Sequence, residues 1–114
     1  MEIKVPAIYK VLGQDAPPAT TNDDLYVVPA GRSAVVSTIV IANRAATSAT
    51  FRIAIRPSGA TIANQHYIAF DVTIGASDST TLTLGITLAA TDVITVYAST
   101  ANLSFNAFGS EIIP

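Results

Sequence analysis

Apolar and polar side chains alternate along short segments of the chain with a period of two residues. Successive side chains of a β-strand point to opposite faces of its sheet, so this pattern predicts strands with one buried face. In segment 51–56, Phe51, Ile53 and Ile55 share one face, and two arginines lie on the other. Segment 81–88 shows the clearest alternation. Its predicted inward residues are Leu82, Leu84, Ile86 and Leu88, and its outward ones are Thr81, Thr83 and Thr87.

A third segment, residues 35–43, carries apolar side chains on both faces. Two apolar faces are typical of a central strand that is covered on both sides. Further strands are predicted where β-branched and aromatic runs are bounded by turn-forming residues. They are residues 8–12, 25–28, 67–71, 93–98 and 103–108. The chain is therefore expected to form about eight strands.

The connections between these strands are short and rich in turn-forming residues, as at 57–59 and 75–79. Parallel neighbours need longer crossover connections, so the strands are expected to pair mostly antiparallel. Eight antiparallel strands around one core predict an all-β sandwich of jelly-roll type. An immunoglobulin-like sandwich is the alternative, which the sequence does not separate from it.

The first 24 residues differ in composition from the rest, because 13–24 is rich in proline, threonine and aspartate and predicts an extended linker. We expect an N-terminal segment or arm with its linker at 1–24 and a sandwich domain at 25–114, with strand 8–12 included in one compact domain. The N-terminal segment either lies on a neighbouring subunit or forms an edge strand of its own domain.

Charged residues make up 12% of the 114 residues, about half of the usual share. A weakly charged surface is easily desolvated by another protein, which indicates burial in an assembly. Alternatively, the many threonines are simply good strand formers on a solvent-facing side. The net charge of −2 and the scattered basic residues make nucleic acid an unfavourable partner. Without a long apolar stretch or a leader-like N-terminus, neither a membrane nor secretion is expected.

No motif typical of catalysis, cofactor binding or metal binding occurs in the sequence. There is no cysteine, and the single histidine, His66, has no carboxylate beside it. No serine lies in a G-x-S-x-G motif, and the glycines form neither a P-loop nor G-x-G-x-x-G. Asp23 and Asp24 lack the spacing of a calcium loop. We therefore expect no enzyme, no cofactor and no metal site.

Several residues are candidates for contact with a protein partner. Arg52 and Arg56 lie four residues apart on one strand, roughly 13 Å at about 3.3 Å per residue, and share a face. They can meet acidic residues of a partner, or form a solvated face that keeps an edge strand from pairing. Tyrosines beside strands suit a core margin or an interface. The candidate contact residues are Ile3, Val5, Tyr9, Arg52, Arg56 and His66.

Three stretches, in order along the chain, resemble small β-sandwich proteins of tailed-bacteriophage particles. The first contains Y-x-V-P-A-G at 26–31, the second is a long strand that ends in a polar turn at 41–44, and the third is L-x-A-x-D-x-I-x-V-Y at 88–97. The resemblance covers residues 8–113. It implies a virion component without enzymatic activity, assembled in the host cytoplasm as a homo-oligomer, often a trimer.

Within that class we expect a capsid decoration, or cement, protein that binds the major capsid protein or other virion proteins. A tail or baseplate accessory module, or a receptor-binding module, is the alternative and fits exposed loops at 57–65 and 99–102. A carbohydrate-binding or adhesin module is a further alternative. It is less favoured, because aromatic residues make up only 7% of the chain and tryptophan is absent.

Overall fold

Residues 6–114 are described from a computed structural model of the chain. They form eight strands, which confirms the predicted number. The strands are β1 (Ala7–Asp15), β2 (Asp23–Val27), β3 (Ser33–Asn43), β4 (Ala49–Arg56), β5 (Tyr67–Ile74), β6 (Ser79–Leu88), β7 (Val93–Ala98) and β8 (Leu103–Ile112). Two short 3₁₀ turns, Pro57–Gly59 and Asn64–His66, lie between β4 and β5. Within 6–114, no helix has the length and apolar character that crossing a membrane requires.

The strands form two four-stranded antiparallel sheets, which confirms the predicted β-sandwich. The first sheet has the order β1-β8-β3-β6 and the second has the order β2-β7-β4-β5. The chain thus pairs its first strand with its last, its second with its seventh, its third with its sixth and its fourth with its fifth. This is the arrangement of an eight-stranded jelly roll. In an immunoglobulin sandwich the first two strands share a sheet, whereas β1 and β2 lie in different sheets here.

The core lies between the two sheets and is built from the inward residues of the central strands. Phe51 and Ile53 of β4, Ile39 of β3, and Leu103 and Phe105 of β8 are at most 1% exposed. The rings of Phe51 and Phe105 meet edge to face, with 6.2 Å between their centroids. Such pairs add about 0.5–1.5 kcal/mol to the gain from burying the rings. The alternation predicted for β4 therefore defines the centre of the core.

The predicted faces of β6 hold for three of its four apolar positions. Leu88 is buried, and Leu82 and Ile86 pack partly buried against the core. Leu84, predicted to point inward, is 50% exposed. The register of β6 on β3 shifts there, and Gly85 takes a positive φ of 63°. The prediction for Leu84 is wrong because this β-bulge interrupts the two-residue period.

Strand β1 is an edge strand of the first sheet and pairs with β8 along Ala7–Asp15. Residues 16–22 then connect it to β2 at the end of the sandwich. The predicted N-terminal segment 1–24 thus contributes one whole strand of the sandwich and the start of another. Ile3 and Val5 lie outside the described residues.

Candidate interaction surfaces

The outer face of the first sheet carries no charged side chain at any of its described positions. Paired residues of an antiparallel sheet point to the same face, so the register assigns each side chain to one side. The outward residues are Ala7, Tyr9, Val11 and Gln14 of β1; Ser104, Asn106, Phe108, Ser110 and Ile112 of β8; Ser33, Val35, Thr38, Val40 and Ala42 of β3; and Ser79, Thr81, Thr83 and Thr87 of β6. We call this surface the uncharged face.

Large apolar side chains stand on the uncharged face near its β1 edge. Tyr9, one of the predicted contact residues, is 86% exposed, and Val11 is 45% exposed. Phe108 and Val35 are partly buried and line a shallow depression beside Tyr9. An exposed aromatic ring with a polar tip, surrounded by apolar and hydroxyl groups, is typical of a protein contact.

Strand β3 lies at a central position of the first sheet, between β8 and β6, as its two apolar faces predicted. Its inner side chains, among them Val36 and Ile39, are covered by the second sheet. Its outer side chains Val35 and Val40 have no covering layer among residues 6–114 and stay partly accessible. The prediction of cover on both sides is therefore met on the inner side alone in the single chain.

One carboxylate, that of Glu111 on β8, is buried inside the sandwich and 1% exposed. The Tyr26 hydroxyl donates a hydrogen bond to its Oε2 at 2.5 Å, and Arg32 Nη1 donates to its Oε1 at 2.8 Å. Lys10 Nζ lies 3.5 Å from the same Oε1. Tyr26 belongs to β2, so its hydrogen bond joins the two sheets.

The hydrogen bond from Tyr26 lowers the pKa of Glu111; burial opposes this effect, and Arg32 and Lys10 reinforce it. Burial, together with the bond to Glu111, raises the pKa of Tyr26. The carboxylate thus stays ionised and the phenol stays protonated, so neither is poised for proton transfer near neutral pH. Each hydrogen bond to the buried charge contributes about 1.5–3 kcal/mol to stability. We assign this cluster a structural role, which is to fix the end of β8 against β2.

Arg52 occupies the outer face of the second sheet and is satisfied within the chain. Its Nε and Nη2 donate to the two carboxylate oxygens of Asp71, at 2.6 and 3.3 Å. Its guanidinium lies 4.1 Å from the ring centroid of Phe70 and 4.3 Å from that of Tyr97. Its hydrogen bonds with Asp71 raise the pKa of Arg52. We call Arg52, Phe70, Asp71 and Tyr97 the Arg52 cluster.

Arg56 lies on the same outer face and holds the β4–β5 connection against the sheet. Its Nη2 donates to Asp24 Oδ1 at 3.0 Å, and its Nε donates to the Thr95 hydroxyl at 2.9 Å. Its Nη1 donates to the backbone carbonyls of Gly59 and Ala60. Because its donors have partners inside the chain, Arg56 also has a structural role.

The two arginines share a face, as predicted, but β4 lies between β7 and β5. The alternative in which they protect an edge strand is therefore wrong, since β4 is an interior strand.

His66 lies in the second 3₁₀ turn, where its Nδ1 accepts a hydrogen bond from the Ala63 N–H at 3.0 Å. Over the range 6–114, no three His, Cys, Asp or Glu side chains gather closely enough to hold a metal ion.

Two carboxylates meet where β1 ends and β2 begins. Partial burial, hydrogen bonding with Asp23 and the charge of Asp23 together raise the pKa of Asp15 to about 6. Asp15 Oδ2 is buried and has no hydrogen-bond partner within the described part of the chain. Two carboxylates can share a hydrogen bond only when one is protonated, so the contact favours the protonated form of Asp15.

The structure separates the predicted contact residues. Tyr9 lies on the first sheet, whereas Arg52, Arg56 and His66 lie on or beside the second. The Arg52 cluster was not predicted, because its rings and carboxylate meet only through the pairing of β4 with β5 and β7. The inward position of Glu111 could have been predicted from the sequence. The inward alternation of Phe105 and Ala107, continued past the predicted strand end, reaches Glu111.

Comparison with known proteins finds a likeness in structure, without a match in sequence family. No protein-family model matches the chain, and no curated protein matches it. Among solved structures, a chain from "Structure of infectious bursal disease virus Gx strain" is similar, with 13% sequence identity and a TM-score of 0.48. The match covers 96% of this chain and 31% of that chain. This chain thus spans about a third of the other, and its function has to be argued from its own surfaces.

Proposed function

We propose that this protein is a structural component of a virus particle, and more narrowly a capsid decoration protein of a tailed phage. The observation that carries the proposal is the uncharged face, a sheet surface without a charged side chain at its described positions, on which Tyr9 is 86% exposed. Jelly rolls build viral capsid domains as well as lectin domains. The phage assignment rests on the resemblance of the segments at 26–31, 41–44 and 88–97 to phage-particle proteins.

The uncharged face fits a protein that strengthens an assembly by adding buried surface. Each Å² of apolar area removed from water contributes about 25 cal/mol, and a face without charges has no ion to desolvate. The charged groups on the outside of the second sheet are already paired within the chain, as in Arg52–Asp71 and Arg56–Asp24. The outer face of the second sheet is therefore suited to contact with solvent. We therefore propose a passive structural role without catalytic activity.

A carbohydrate-binding module is the second candidate, because aromatic residues converge on one surface. Tyr67, Phe70 and Tyr97 surround Arg52, although the chain has only four Tyr and four Phe. Sugars stack on exposed ring faces, but here the Arg52 guanidinium already covers faces of Phe70 and Tyr97. Decoration is therefore favoured, and glycan binding is left as an outcome of the test.

The proposal is tested on particles of the phage or prophage that encodes the chain. Heads and tails are separated, and the protein is quantified in each by mass spectrometry. We expect it on heads, and we expect purified protein to rebind heads that lack it and to raise their temperature of DNA release. Tyr9→Lys on the uncharged face should weaken rebinding at least about tenfold, equivalent to about 1.4 kcal/mol. Thr73→Lys, an exposed strand threonine of the second sheet, is the matched control and should rebind normally.

Three results would contradict the proposal. Absence from particles excludes a virion protein, recovery with tails alone excludes decoration, and binding of purified protein to a glycan array that is lost in Phe70→Ala supports the carbohydrate-binding alternative.

A further inference from the structure

We propose that the uncharged face binds a second copy of this chain, so that two sandwiches pack face to face as a two-fold symmetric dimer. The inference deepens the proposed function and rests on it for its setting in a particle: the free protein pairs through the uncharged face, and on a head the capsid protein takes the place of the second copy. In a two-fold interface the same surface is used by both partners, so that surface must be compatible with itself.

The distribution of charge favours a second copy over a protein with a charged surface. Two like charges that meet across an interface are costly, and the uncharged face brings none together when it meets itself. It also offers no charged group that could pair with a charged patch on another protein. Lys10 is the nearest cation on β1, and its side chain is directed to Glu111 on the inner side of the sheet. When this surface pairs with itself, no charged group is buried without a counter-ion.

The size of the face is sufficient for a stable dimer. Strand β3 has 11 residues, or roughly 37 Å at about 3.4 Å per residue. Four strands at about 4.8 Å give a width of roughly 19 Å. Each copy therefore contributes on the order of 700 Å², and the pair about 1,400 Å², within the range of about 1,200–2,000 Å² for specific stable interfaces.

The composition of β3 agrees with a second covering layer. Val36 and Ile39 of β3 pack on the second sheet of their own chain, while Val35 and Val40 face outward. Sheets that pack face to face lie about 10 Å apart with strand directions within about 30°. A second copy supplies such a sheet, and the neighbouring Tyr9 and Phe108 supply the aromatic anchors that dominate interface energies. The dimer thus covers β3 on both sides, as its sequence predicts.

Sedimentation equilibrium of the full chain from about 1 to about 200 µM tests the dimer directly. We expect a monomer–dimer equilibrium for the native chain. Tyr9→Lys and Thr83→Lys, both at exposed positions of the uncharged face, should raise the dissociation constant at least about tenfold. Thr73→Lys on the second sheet should leave it unchanged. Circular dichroism and urea unfolding verify that each variant is folded.

Cross-linking locates the interface independently. The chain contains no cysteine, so one introduced thiol reports on one place. Thr38→Cys, near the middle of the uncharged face, should give cross-linked dimers with a short bismaleimide, and Thr73→Cys should not. A monomeric native chain, a trimer, or equal cross-linking at both positions would overturn the inference. A monomer that still rebinds heads leaves the proposed function intact, whereas a dimer absent from particles refutes that function and leaves the dimer standing.

Discussion

Two carboxylates of this protein, the buried Glu111 and the partly buried Asp15, have pKa shifts of opposite direction, because different groups face them. Glu111 receives hydrogen bonds from Tyr26 and Arg32, which stabilise the ionised form and lower its pKa. Asp15 is partly buried and faces another carboxylate, Asp23, and these effects together raise its pKa to about 6. Burial disfavours ionisation in both cases, so the groups that face each carboxylate decide the direction of its pKa shift.

The raised pKa of Asp15 predicts a loss of stability as the pH rises from about 4 to about 6. An unfolded aspartate titrates near 3.9. Between that value and about 6 the folded protein binds more protons than the unfolded chain, so the free energy of unfolding falls with rising pH. Asp15→Asn removes this dependence and should stabilise the protein at pH 7 by on the order of 1 kcal/mol, allowing for solvent screening. Urea unfolding at several pH values measures the effect.

The companion variant is Asp23→Asn, which removes the contribution of Asp23 to the raised pKa of Asp15 and leaves the burial of Asp15 unchanged. Because burial is the largest cause of the raised pKa, Asp23→Asn should stabilise the protein less than Asp15→Asn does. The double variant should add little to Asp15→Asn alone, because interacting sites are not additive. Stabilisation by Asp15→Asn that is independent of pH would contradict the raised pKa of Asp15. Strict additivity in the double variant would mean that Asp23 does not contribute to that pKa.

At the scale of the elements, the strands could be predicted and their irregularities could not. Alternation located β4 and β6 because a half-buried strand repeats every two residues. A bulge inserts a residue where the partner strand allows it, so Leu84 and Gly85 depend on their register with β3. The choice between a jelly roll and an immunoglobulin-like order depends on which strands meet, information that local periodicity does not contain.

The same limit applies to the candidate surfaces: features that depend on strand period could be predicted, and features that depend on strand pairing could not. The outward position of Arg52 and its shared face with Arg56 follow from strand period alone. Its cluster could not be predicted, since Tyr97 reaches Arg52 by the pairing of β4 with β7, and Asp71 does so from a register shift in β5. The uncharged face likewise needs four strands, distant in sequence, to be placed side by side before the absence of charge becomes visible.

The bulge in β6 makes two apolar residues with the same predicted role differ in their contribution to stability. Phe51 is fully buried and packs on Phe105, so Phe51→Ala should lower the free energy of unfolding by about 3–5 kcal/mol. Leu84 is 50% exposed, so Leu84→Ala should cost less than about 1 kcal/mol. Urea unfolding compares the two. A loss above about 2 kcal/mol for Leu84→Ala would show that β6 is regular in solution and that this leucine enters the core.

At the scale of the whole molecule, the two sheets present different outer surfaces. The second sheet carries Arg52, Arg56, Asp24 and Asp71 in ion pairs, while the first carries no charge on its described outer positions. Both sheets need one apolar side to build the core, so they differ in the charge of their outer faces. One side of the sandwich is suited to water and the other to a protein.

This asymmetry predicts how association depends on salt. Salt screens interactions between exposed charges, with a Debye length of about 10 Å at 0.1 M. A contact through the uncharged face should therefore change its dissociation constant less than about threefold between about 0.05 and about 0.5 M NaCl. Thr83→Lys brings two like charges into the dimer, so its association should be weak at low salt and recover as salt screens the repulsion. Sedimentation equilibrium across this range measures both. Native association that weakens steeply with salt would place the contact on the paired charges of the second sheet, because an interface without charges has nothing for salt to screen.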